Sequence, residues 1–366
     1  MSRKAHVLRI LDTGRRRAAE NMAFNRALLE SHQLGVSPHT LRFLQFEPCA
    51  LLGFHQSAEQ ELRLDYCKAE GIAIQRRMTG GGAIYFDETQ LGWELYLDKG
   101  FLGTADMAAI AERICTTAAR SLQAFGVNAV FRPRNDIEVD GRKISGTGGA
   151  FDGDSILYQG TLLIEFDVER MLKILRIPAE KMSDKAIASA RERVVNLADL
   201  LGNDRPSIEQ IKAQIAQTFA QEFGVDAAPG DLLAEEQASF ATALAEMDCD
   251  EWVYQHHRPV TGSPLVETIH RCSGGTLRVG VQVDLERSLL RQAWVTGDFF
   301  VQPRRLIADL EAALRHVSLD QVTATIKTFF DGREATMLRL TPQDFIDAVE
   351  GAVAAGRSGS ADHQVK

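Results

Sequence analysis

The sequence has few cysteines for its length, and it lacks any long hydrophobic run. Its 366 residues include five cysteines, no two of which are spaced as a CxxC pair. An odd number of scattered cysteines in a chain of this size argues against a disulfide framework, so we expect reduced thiols. No apolar stretch approaches the length of a membrane-spanning helix, and the charged N-terminal residues do not resemble a signal peptide. These absences predict a cytoplasmic protein that does not interact with membranes.

An excess of positive charge is also absent. Asp and Glu number 50 against 41 Lys and Arg, which leaves a formal net charge of -9. An acidic balance argues against nucleic acid as the main partner, although it allows a local basic pocket for an anionic ligand. The residues that are candidates for such a pocket are Arg76, Arg77, Arg132, Arg134, Arg142 and Lys143. The composition, 45% hydrophobic and 25% charged, is typical of a globular protein, and the length favours two or more domains.

Residues 76–89 read RRMTGGGAIYFDET, with three consecutive glycines after two arginines. Glycine loses more backbone entropy on folding than any other residue, so a run of three suggests that something must approach the backbone closely. Exposed amides of a glycine-rich loop bind anionic oxygens, and Arg77 is placed to add a charge-assisted contact. The alternative is a β-bulge or hairpin corner that merely requires glycine. The stretch is neither a Walker A loop nor a GxGxxG loop opening a helix.

Residues 134–149, RNDIEVDGRKISGTGG, form the second notable stretch. The Asp140–Gly141 pair predicts a turn, with Lys143 at the start of a strand that leads to a Ser–Gly loop. A lysine there is suited to neutralise a carboxylate and a phosphate that must come together, and Asp136 to hold Mg²⁺. The alternative is a solvated hairpin lysine. A third stretch, YQGTLLIEFD at 158–167, predicts an apolar strand that on its own indicates only core.

Periodicity and capping signals predict alternating helices and strands along the chain. We expect helices at 18–32, 65–70, 105–126, 207–224, 304–317 and 340–355, the last capped by Thr341. We expect strands at 40–56 with a break at Pro48, at 72–77, at 83–97 with a turn near Asp87, and at 128–167. From about residue 250 the pattern restarts, with strands at 250–257 and 276–300, which indicates a second, smaller α+β unit.

Together these stretches resemble the lipoate–protein ligases, of the superfamily shared with octanoyltransferases and biotin–protein ligases. The family's RRxSGGG signature corresponds to Arg76–Asp87, its RND…GrKiSGsa signature to Arg134–Thr147, and its HGTLL signature to Gln159–Leu163. Three further segments are similar to segments of the family: AAENMAFNRALL, CALLGFHQ and SARERVVNLADLL. The later stretch CSGGTLRVGVQVDLERSLLRQAWVTGDFF is similar to the accessory domain of full-length ligases. The resemblance implies an α+β fold with mixed and antiparallel sheets flanked by helices. It also implies a catalytic domain at 1–247, an α+β accessory domain at 248–352 and a disordered tail at 353–366.

The resemblance implies ATP-dependent activation of lipoate to lipoyl-AMP, with Mg²⁺, followed by transfer to a lysine of an acceptor domain. The acceptor class includes the 2-oxoacid dehydrogenase E2 and the glycine cleavage H protein, and a monomer is the default. It implies that Lys143 is catalytic and that Asp136 is the metal ligand. The implied adenylate-binding residues are Arg77, Thr79, Gly80, Gly81, Gly82, Ala83, Ile84, Tyr85, Asn135, Asp136 and Lys143. The implied lipoate-binding residues are Lys143, Ser145, Gly146, Gln159, Gly160 and Thr161.

Several positions depart from the family pattern. Thr79 replaces Ser, Phe86 and Gln159 replace histidines, and Gly148 and Gly149 replace bulkier residues, which would widen the acyl pocket. The main alternative function is an octanoyltransferase, but residues 131–149 contain no cysteine to serve as its nucleophile. A non-catalytic paralogue is the alternative of another class, although retained Arg77, Asp136 and Lys143 argue against it. A biotin ligase fits less well, because its glycine-rich loop follows a different sequence.

Overall fold

The computed structural model describes residues 7–133, 135–176, 190–257 and 265–359. The chain divides into two compact units. The first unit comprises Met1–Leu51, Leu62–Met78 and Ile84–Val253, and the second comprises Leu52–Glu61, Thr79–Ala83 and Tyr254–Lys366. The triple-glycine segment therefore groups with the C-terminal unit, although it lies early in the sequence.

Runs of two to four strands are separated by helices along much of the described chain. The strands are β1 Val7–Arg16, β2 Thr40–Phe46, β3 Cys49–Leu52, β4 Ala73–Arg76, β5 Ile84–Phe86, β6 Gln90–Asp98, β7 Val130–Arg132, β8 Asp136–Val139, β9 Arg142–Asp152, β10 Ser155–Leu163, β11 Asp226–Pro229, β12 Val266–Cys272, β13 Gly275–Asp284, β14 Leu289–Gly297, β15 Val301–Gln302, β16 Val317–Ser318 and β17 Thr336–Met337. The helices are α1 Ala18–Gln33, α2 Ala58–Glu61, α3 Leu64–Ala69, α4 Lys99–Leu102, α5 Met107–Gln123, α6 Val168–Ile174, α7 Leu197–Leu201, α8 Ile208–Phe223, α9 Ala234–Met247, α10 Asp250–Val253, α11 Leu306–Ala313, α12 Val322–Phe330 and α13 Pro342–Gly359.

An eight-stranded mixed sheet forms the centre of the first unit, in the order β11-β1-β2-β6-β10-β9-β8-β7. β1 pairs in parallel with β11 and β2, and the remaining pairs are antiparallel. A second sheet of three strands has the order β4-β3-β5. Helices accompany these sheets, as the expected α+β fold requires.

Apolar side chains cover both faces of the large sheet. On one face, Leu95 and Ile156 pack in a core that also contains Ile114 of α5 and Phe219 of α8. On the other face, Leu157 belongs to a core that includes residues of α1. β6 is buried along most of its length because it lies between these two layers.

The second unit has its own core. β12, β13, β14 and β16 form an antiparallel sheet, and β15 pairs with β17. The buried residues of this core include Val279, Val295, Leu310, Phe345 and Val349, which come from strands β13 and β14 and helices α11 and α13. Among the described residues, no helix has both the length and the apolar character needed to cross a bilayer.

Three local predictions need correction. Residues 250–253 form the short helix α10 rather than a strand, because Asp250 and Glu251 suit a first helical turn. Ser145 and Gly146 lie inside the continuous strand β9 rather than in a loop. α13 runs to Gly359, so residues 353–359 of the expected disordered tail are helical. The rest of that tail, 360–366, lies outside the described residues, as do Arg134 and Ser189.

Candidate functional site

The β8–β9 hairpin places Lys143. Asp140 and Gly141 both have positive φ, at 52° and 76°, as the predicted two-residue turn requires. Lys143 is the second residue of β9 after this turn, and its backbone also pairs with residues 193–195. Its N–H donates to the Arg193 carbonyl at 2.8 Å, and its carbonyl accepts the Val195 N–H at 2.9 Å. The backbone from which the lysine side chain extends is therefore held by two segments.

The Lys143 ammonium forms an ion pair with Asp136. Nζ lies 2.7 Å from Oδ1 of Asp136, and the two side chains are 39% and 25% exposed. The register shifts between Ile137 and Glu138, and Asp136 lies opposite Gly146. A Cβ on Gly146 would lie 2.8 Å from both Cε and Nζ of Lys143. Gly146 is therefore the position that leaves room for the ammonium to cross the strand and reach Asp136.

Gly146 and Gln159 share one face of the sheet with the Lys143 ammonium. Gln159 of β10 lies opposite Gly148 of β9, and Thr161 lies on the same face because side chains alternate along a strand. The Thr161 hydroxyl accepts the Gly146 N–H at 3.2 Å. The structure thus assembles Lys143, Asp136, Gly146, Gln159 and Thr161 on one surface, which we call the lysine face.

Two of the expected lipoate-binding residues do not project onto the lysine face. The Ser145 side chain is buried on the opposite face, by strand alternation from Gly146. Gly160 also faces that side, where a Cβ would lie 2.2 Å from Cζ2 of Trp93. A Cβ on Gly149 would lie 2.7 Å from Cδ2 of Tyr158, so the glycine leaves room for that ring. Gly149 therefore does not widen a pocket on the lysine face. Gly148 lies on the lysine face itself, opposite Gln159.

A buried polar cluster behind this sheet was not identified from the sequence. The Cys115 thiol of α5 lies 3.2 Å from the Thr147 hydroxyl and 3.3 Å from the Tyr158 hydroxyl. The Thr147 hydroxyl donates to the Asn135 carbonyl at 3.0 Å, and the Asn135 amide donates to the Thr147 carbonyl at 2.7 Å. Asn135 is thereby clamped to β9, which positions the neighbouring Asp136. No local sequence signal joins Cys115 to Thr147, since contacts between distant segments are set by the fold.

Four of the five cysteines do not offer an activated thiol. All five are described, and all are free. Burial raises the pKa of Cys49, Cys67, Cys115 and Cys272 above the usual value, which keeps these thiols protonated at neutral pH. Cys115 is 0% exposed. A nucleophilic cysteine requires the opposite, a thiol that is accessible and readily ionised.

The two arginines before the glycines have different environments. Arg76 is fully buried, and its guanidinium donates to the carbonyls of Trp252 and Val253, so it is used structurally. Arg77 is 6% exposed and donates to the Leu51 carbonyl at 3.1 Å. Burial lowers the pKa of Arg77 to about 10, which leaves it cationic at neutral pH. A buried cation of this kind is suited to bind an anion.

The strand after the glycines belongs to the small sheet. Ile84 and Tyr85 of β5 lie opposite Leu51 and Ala50 of β3. The Tyr85 side chain is 2% exposed, and burial raises the pKa of its hydroxyl. Its ring therefore packs in the protein, whereas Ile84 on the same strand is partly exposed.

Within the second unit, the triple glycine is required by close backbone contacts. A Cβ on Gly80 would lie 2.1 Å from the Phe299 carbonyl oxygen, and the Gly81 N–H donates to that same oxygen at 3.2 Å. Gly81 has φ +93°, which favours glycine. Gly82 differs from both, because its Cβ would meet only the Asp298 Cβ at 3.8 Å. Thr79 is buried, and its carbonyl accepts the Phe54 N–H at 2.9 Å; Ala83 completes the segment.

The six-residue basic pocket is not assembled as a group. Arg132 is exposed and pairs with Glu138 at 2.7 Å, and Arg76 is occupied by carbonyls as described. Arg134 lies outside the described residues. Arg77, Arg142 and Lys143 remain as candidates for anion binding, and Arg142 is the first residue of β9.

The mixed sheet and the three-stranded sheet define the class of protein, since this is the fold of lipoate protein ligases. More particularly, the chain belongs to the lipoyl protein ligase A/B catalytic domain family, whose model matches residues 17–220, more than half of the chain.

Relatives within this family have two kinds of activity. The chain is 28% identical to the octanoyltransferase LipM of Kyrpidia tusciae over 68% of this chain and 98% of that protein. Among solved structures, a bi-partite lipoate protein ligase and its E2 lipoyl domain from Thermoplasma acidophilum matches with TM-score 0.63 at 26% identity, over 70% of this chain and 99% of that chain. LipL1 of P. falciparum in complex with lipoate matches with TM-score 0.72 at 18% identity, over 95% of this chain and 99% of that chain, which extends the fold similarity into the C-terminal unit.

Proposed function

We propose that this enzyme is an ATP-dependent lipoate–protein ligase. It activates lipoate to lipoyl-AMP with release of pyrophosphate, and it then transfers the lipoyl group to a lysine of an acceptor domain with release of AMP. The observation that carries the proposal is the Lys143 ammonium, held at 2.7 Å from Asp136 on the lysine face. The reactants of the first step are free lipoate and ATP, and Mg²⁺ accompanies the ATP.

The chemistry of adenylation explains why a fixed cation is needed. The lipoate carboxylate must attack the α-phosphate of ATP, and the two groups repel each other because both are anionic. An ammonium placed between them offsets this repulsion and orients the attack. In the second step the same ammonium stabilises the charge that develops on the acyl carbonyl oxygen. Arg77 and the β5 residues Ile84 and Tyr85, all of the first unit, are proposed to bind the nucleotide.

Asp136 fits the role of a single protein carboxylate beside a nucleotide-bound Mg²⁺. Magnesium in such sites takes one or two carboxylates together with substrate phosphates. Asp136 is partly exposed, so its carboxylate is accessible to a bound ion. When bound, the ion would neutralise phosphate charge. The role of the protein residues is to hold Asn135 and Asp136 through the Thr147 clamp and to place Lys143.

The state of the cysteines favours the ligase over the transferase. A transferase with a covalent intermediate requires a reactive thiol near the acyl group. The Cys115 thiol is fully buried, and its pKa is raised. It forms a hydrogen bond with the Thr147 hydroxyl on the side of the sheet opposite the lysine face. An acyl-adenylate is already activated, so the ligase needs no enzyme thiol.

We propose that the first unit is catalytic and that the second is an accessory unit. The acceptor is proposed to be a lipoyl domain, since the similar Thermoplasma structure is described as that of a lipoate protein ligase and its E2 lipoyl domain. We also propose that the protein is cytoplasmic and monomeric.

The proposal is tested by lipoylation of a purified E2 lipoyl domain, followed by mass spectrometry. With free lipoate, ATP and Mg²⁺, the account predicts one lipoyl group on the acceptor lysine, and no modification when ATP is omitted. The matched reaction replaces lipoate and ATP with octanoyl carrier protein. Acyl transfer from that donor without ATP would identify an octanoyltransferase instead.

A further inference from the structure

A cluster of three metal-binding side chains lies in the second unit, apart from the lysine face. His270 and Cys272 are two residues apart on β12, so both project from the same face of the strand. Asp344 lies in the first turn of α13. One ligand atom from each of the three lies within 4.8 Å of the other two. His270 Nε2 and Asp344 Oδ1 are 3.7 Å apart.

From this geometry we propose that His270, Cys272 and Asp344 form a binding site for Zn²⁺. Zinc is bound by histidine nitrogen, cysteine sulfur and carboxylate oxygen at bonds of about 2.0–2.3 Å in tetrahedral geometry. Those bonds place neighbouring ligand atoms about 3.3–3.6 Å apart, so only a small contraction of the cluster is required. The mixed nitrogen, sulfur and oxygen set selects a borderline metal over Mg²⁺ or Ca²⁺, which prefer oxygen alone.

The carboxylate is oriented before any metal binds. Oδ2 of Asp344 accepts hydrogen bonds from the Thr341 N–H at 2.8 Å and the Thr341 hydroxyl at 2.7 Å. This helix cap uses one oxygen and leaves Oδ1 directed at His270. Partners that hold a ligand's second atom are characteristic of metal sites and raise their affinity.

The strand and the helix are also tied together beside the cluster. The Ser273 hydroxyl donates to the Arg339 carbonyl at 3.0 Å. A Cβ on Gly274 would lie 2.8 Å from that same oxygen, so this turn packs closely on the segment that leads into α13. The spacing between Cys272 and Asp344 is therefore set by the fold rather than by flexible side chains alone.

The cluster is half-buried and open enough to admit an ion. The side chains of His270 and Asp344 are 28% and 18% exposed. Burial and the neighbouring Asp344 carboxylate raise the pKa of Cys272, so the protein alone keeps this thiol protonated. A bound dication would reverse that effect, and the thiol would ionise with release of one proton. The three protein ligands leave a fourth position for water, and the bound ion would fasten α13 to the end of β12.

The test uses the purified full chain without an affinity tag, first stripped of metal by a chelator. Zn²⁺ uptake is measured by equilibrium dialysis, and Co²⁺ serves as a spectroscopic probe. We expect one metal per chain, a thiolate-to-cobalt charge-transfer band, release of one proton per metal and a higher melting temperature with Zn²⁺. Cys272→Ser should remove the cobalt band and weaken zinc binding by at least about 100-fold.

Matched variants distinguish a metal site from a hydrogen-bonded cluster. His270→Gln and Asp344→Asn should lose binding as well, and Asp344→Asn keeps an oxygen for the Thr341 cap. Cys249→Ser is the control, because Cys249 is a partly exposed thiol of the first unit, and it should bind like the wild type. If the wild type takes up no metal in the micromolar range, or if Cys272→Ser binds as tightly as the wild type, the proposal is overturned. A melting curve without metal shows whether each variant is folded.

Discussion

Lys143 and Asp136 form an ion pair of 2.7 Å across a β-bulge, with no side chain between them because residue 146 is glycine. The pair shows how a hairpin places a cation on a sheet face. The carboxylate holds the flexible lysine in one position. In the proposed reaction, the substrate anions would therefore meet an ammonium that is already oriented. Preorganisation of this kind is the main source of electrostatic catalysis.

Asp136→Asn is expected to reduce activity without unfolding the protein. The amide keeps the shape of the side chain but removes the charge that orients Lys143, so we expect kcat/KM for lipoate adenylation to fall by about 10- to 100-fold. Glu138→Gln is the control, because Glu138 lies on the same strand and pairs instead with the exposed Arg132. Equal effects of the two substitutions would contradict a specific role for Asp136.

Gly146→Ala and Gly149→Ala are expected to fail in different ways. Alanine at 146 places a methyl group 2.8 Å from the Lys143 ammonium. The lysine must move, and activity should fall at least about 10-fold while the melting temperature changes little. Alanine at 149 meets the Tyr158 ring on the opposite face and should destabilise the fold by about 1–3 kcal/mol. Adenylation kinetics and urea unfolding, measured on both variants, check this pattern.

Substitutions at the three glycines 80–82 are expected to differ in their effect on stability. Gly80→Ala puts a Cβ 2.1 Å from the Phe299 carbonyl oxygen, a backbone atom that cannot yield cheaply, so the loop should be displaced and the protein destabilised. Gly82→Ala meets nothing closer than 3.8 Å and should leave the melting temperature nearly unchanged. If the segment binds nucleotide, Gly82→Ala should raise the KM for ATP. A stable Gly80→Ala variant with normal activity would refute the structural reading of Gly80.

Glu311 is expected to make the second unit less stable as pH rises. Burial raises the pKa of Glu311 to about 7 from its usual value of 4.5, although its Oε1 accepts the Val295 N–H at 2.7 Å. Between pH 4.5 and 7 the folded state holds a proton that the unfolded state has lost, so stability declines through that window and is level above it. Glu311→Gln should flatten the decline, which melting curves between pH 4 and 8 would detect. An unchanged slope would show that Glu311 does not titrate in this way.

The sequence predicted the local features of the site better than its long-range contacts. The Asp140–Gly141 turn is encoded by two adjacent residues, and α1 and α8 by their own periodicity. Ser145 and Gly146 were predicted to form a loop because a Ser–Gly pair is typical of one, but pairing with β8 and β10 overrides that preference. α10 was predicted as a strand, since four residues carry too little periodicity to decide.

The structure was needed to explain why residues 80–82 are glycines. From the sequence, a triple glycine next to arginines predicts anion binding. The structure shows that both glycines contact the Phe299 carbonyl, which is at least 218 residues further along the chain. The Gly81 N–H donates a hydrogen bond to that oxygen, and Gly80 lies too close to it for a Cβ to fit. The Thr147–Cys115 contact likewise joins residues 32 positions apart. The roles of the individual site residues in binding ATP and lipoate remain predictions.

The most direct test is lipoate-dependent exchange of labelled pyrophosphate into ATP, with Mg²⁺ and no acceptor, comparing the wild type with Lys143→Ala. The account predicts exchange by the wild type and none by the variant, which should melt normally because the lysine side chain is partly exposed. No exchange by the wild type, or near-normal exchange by Lys143→Ala, would contradict the assignment of adenylation to the lysine face.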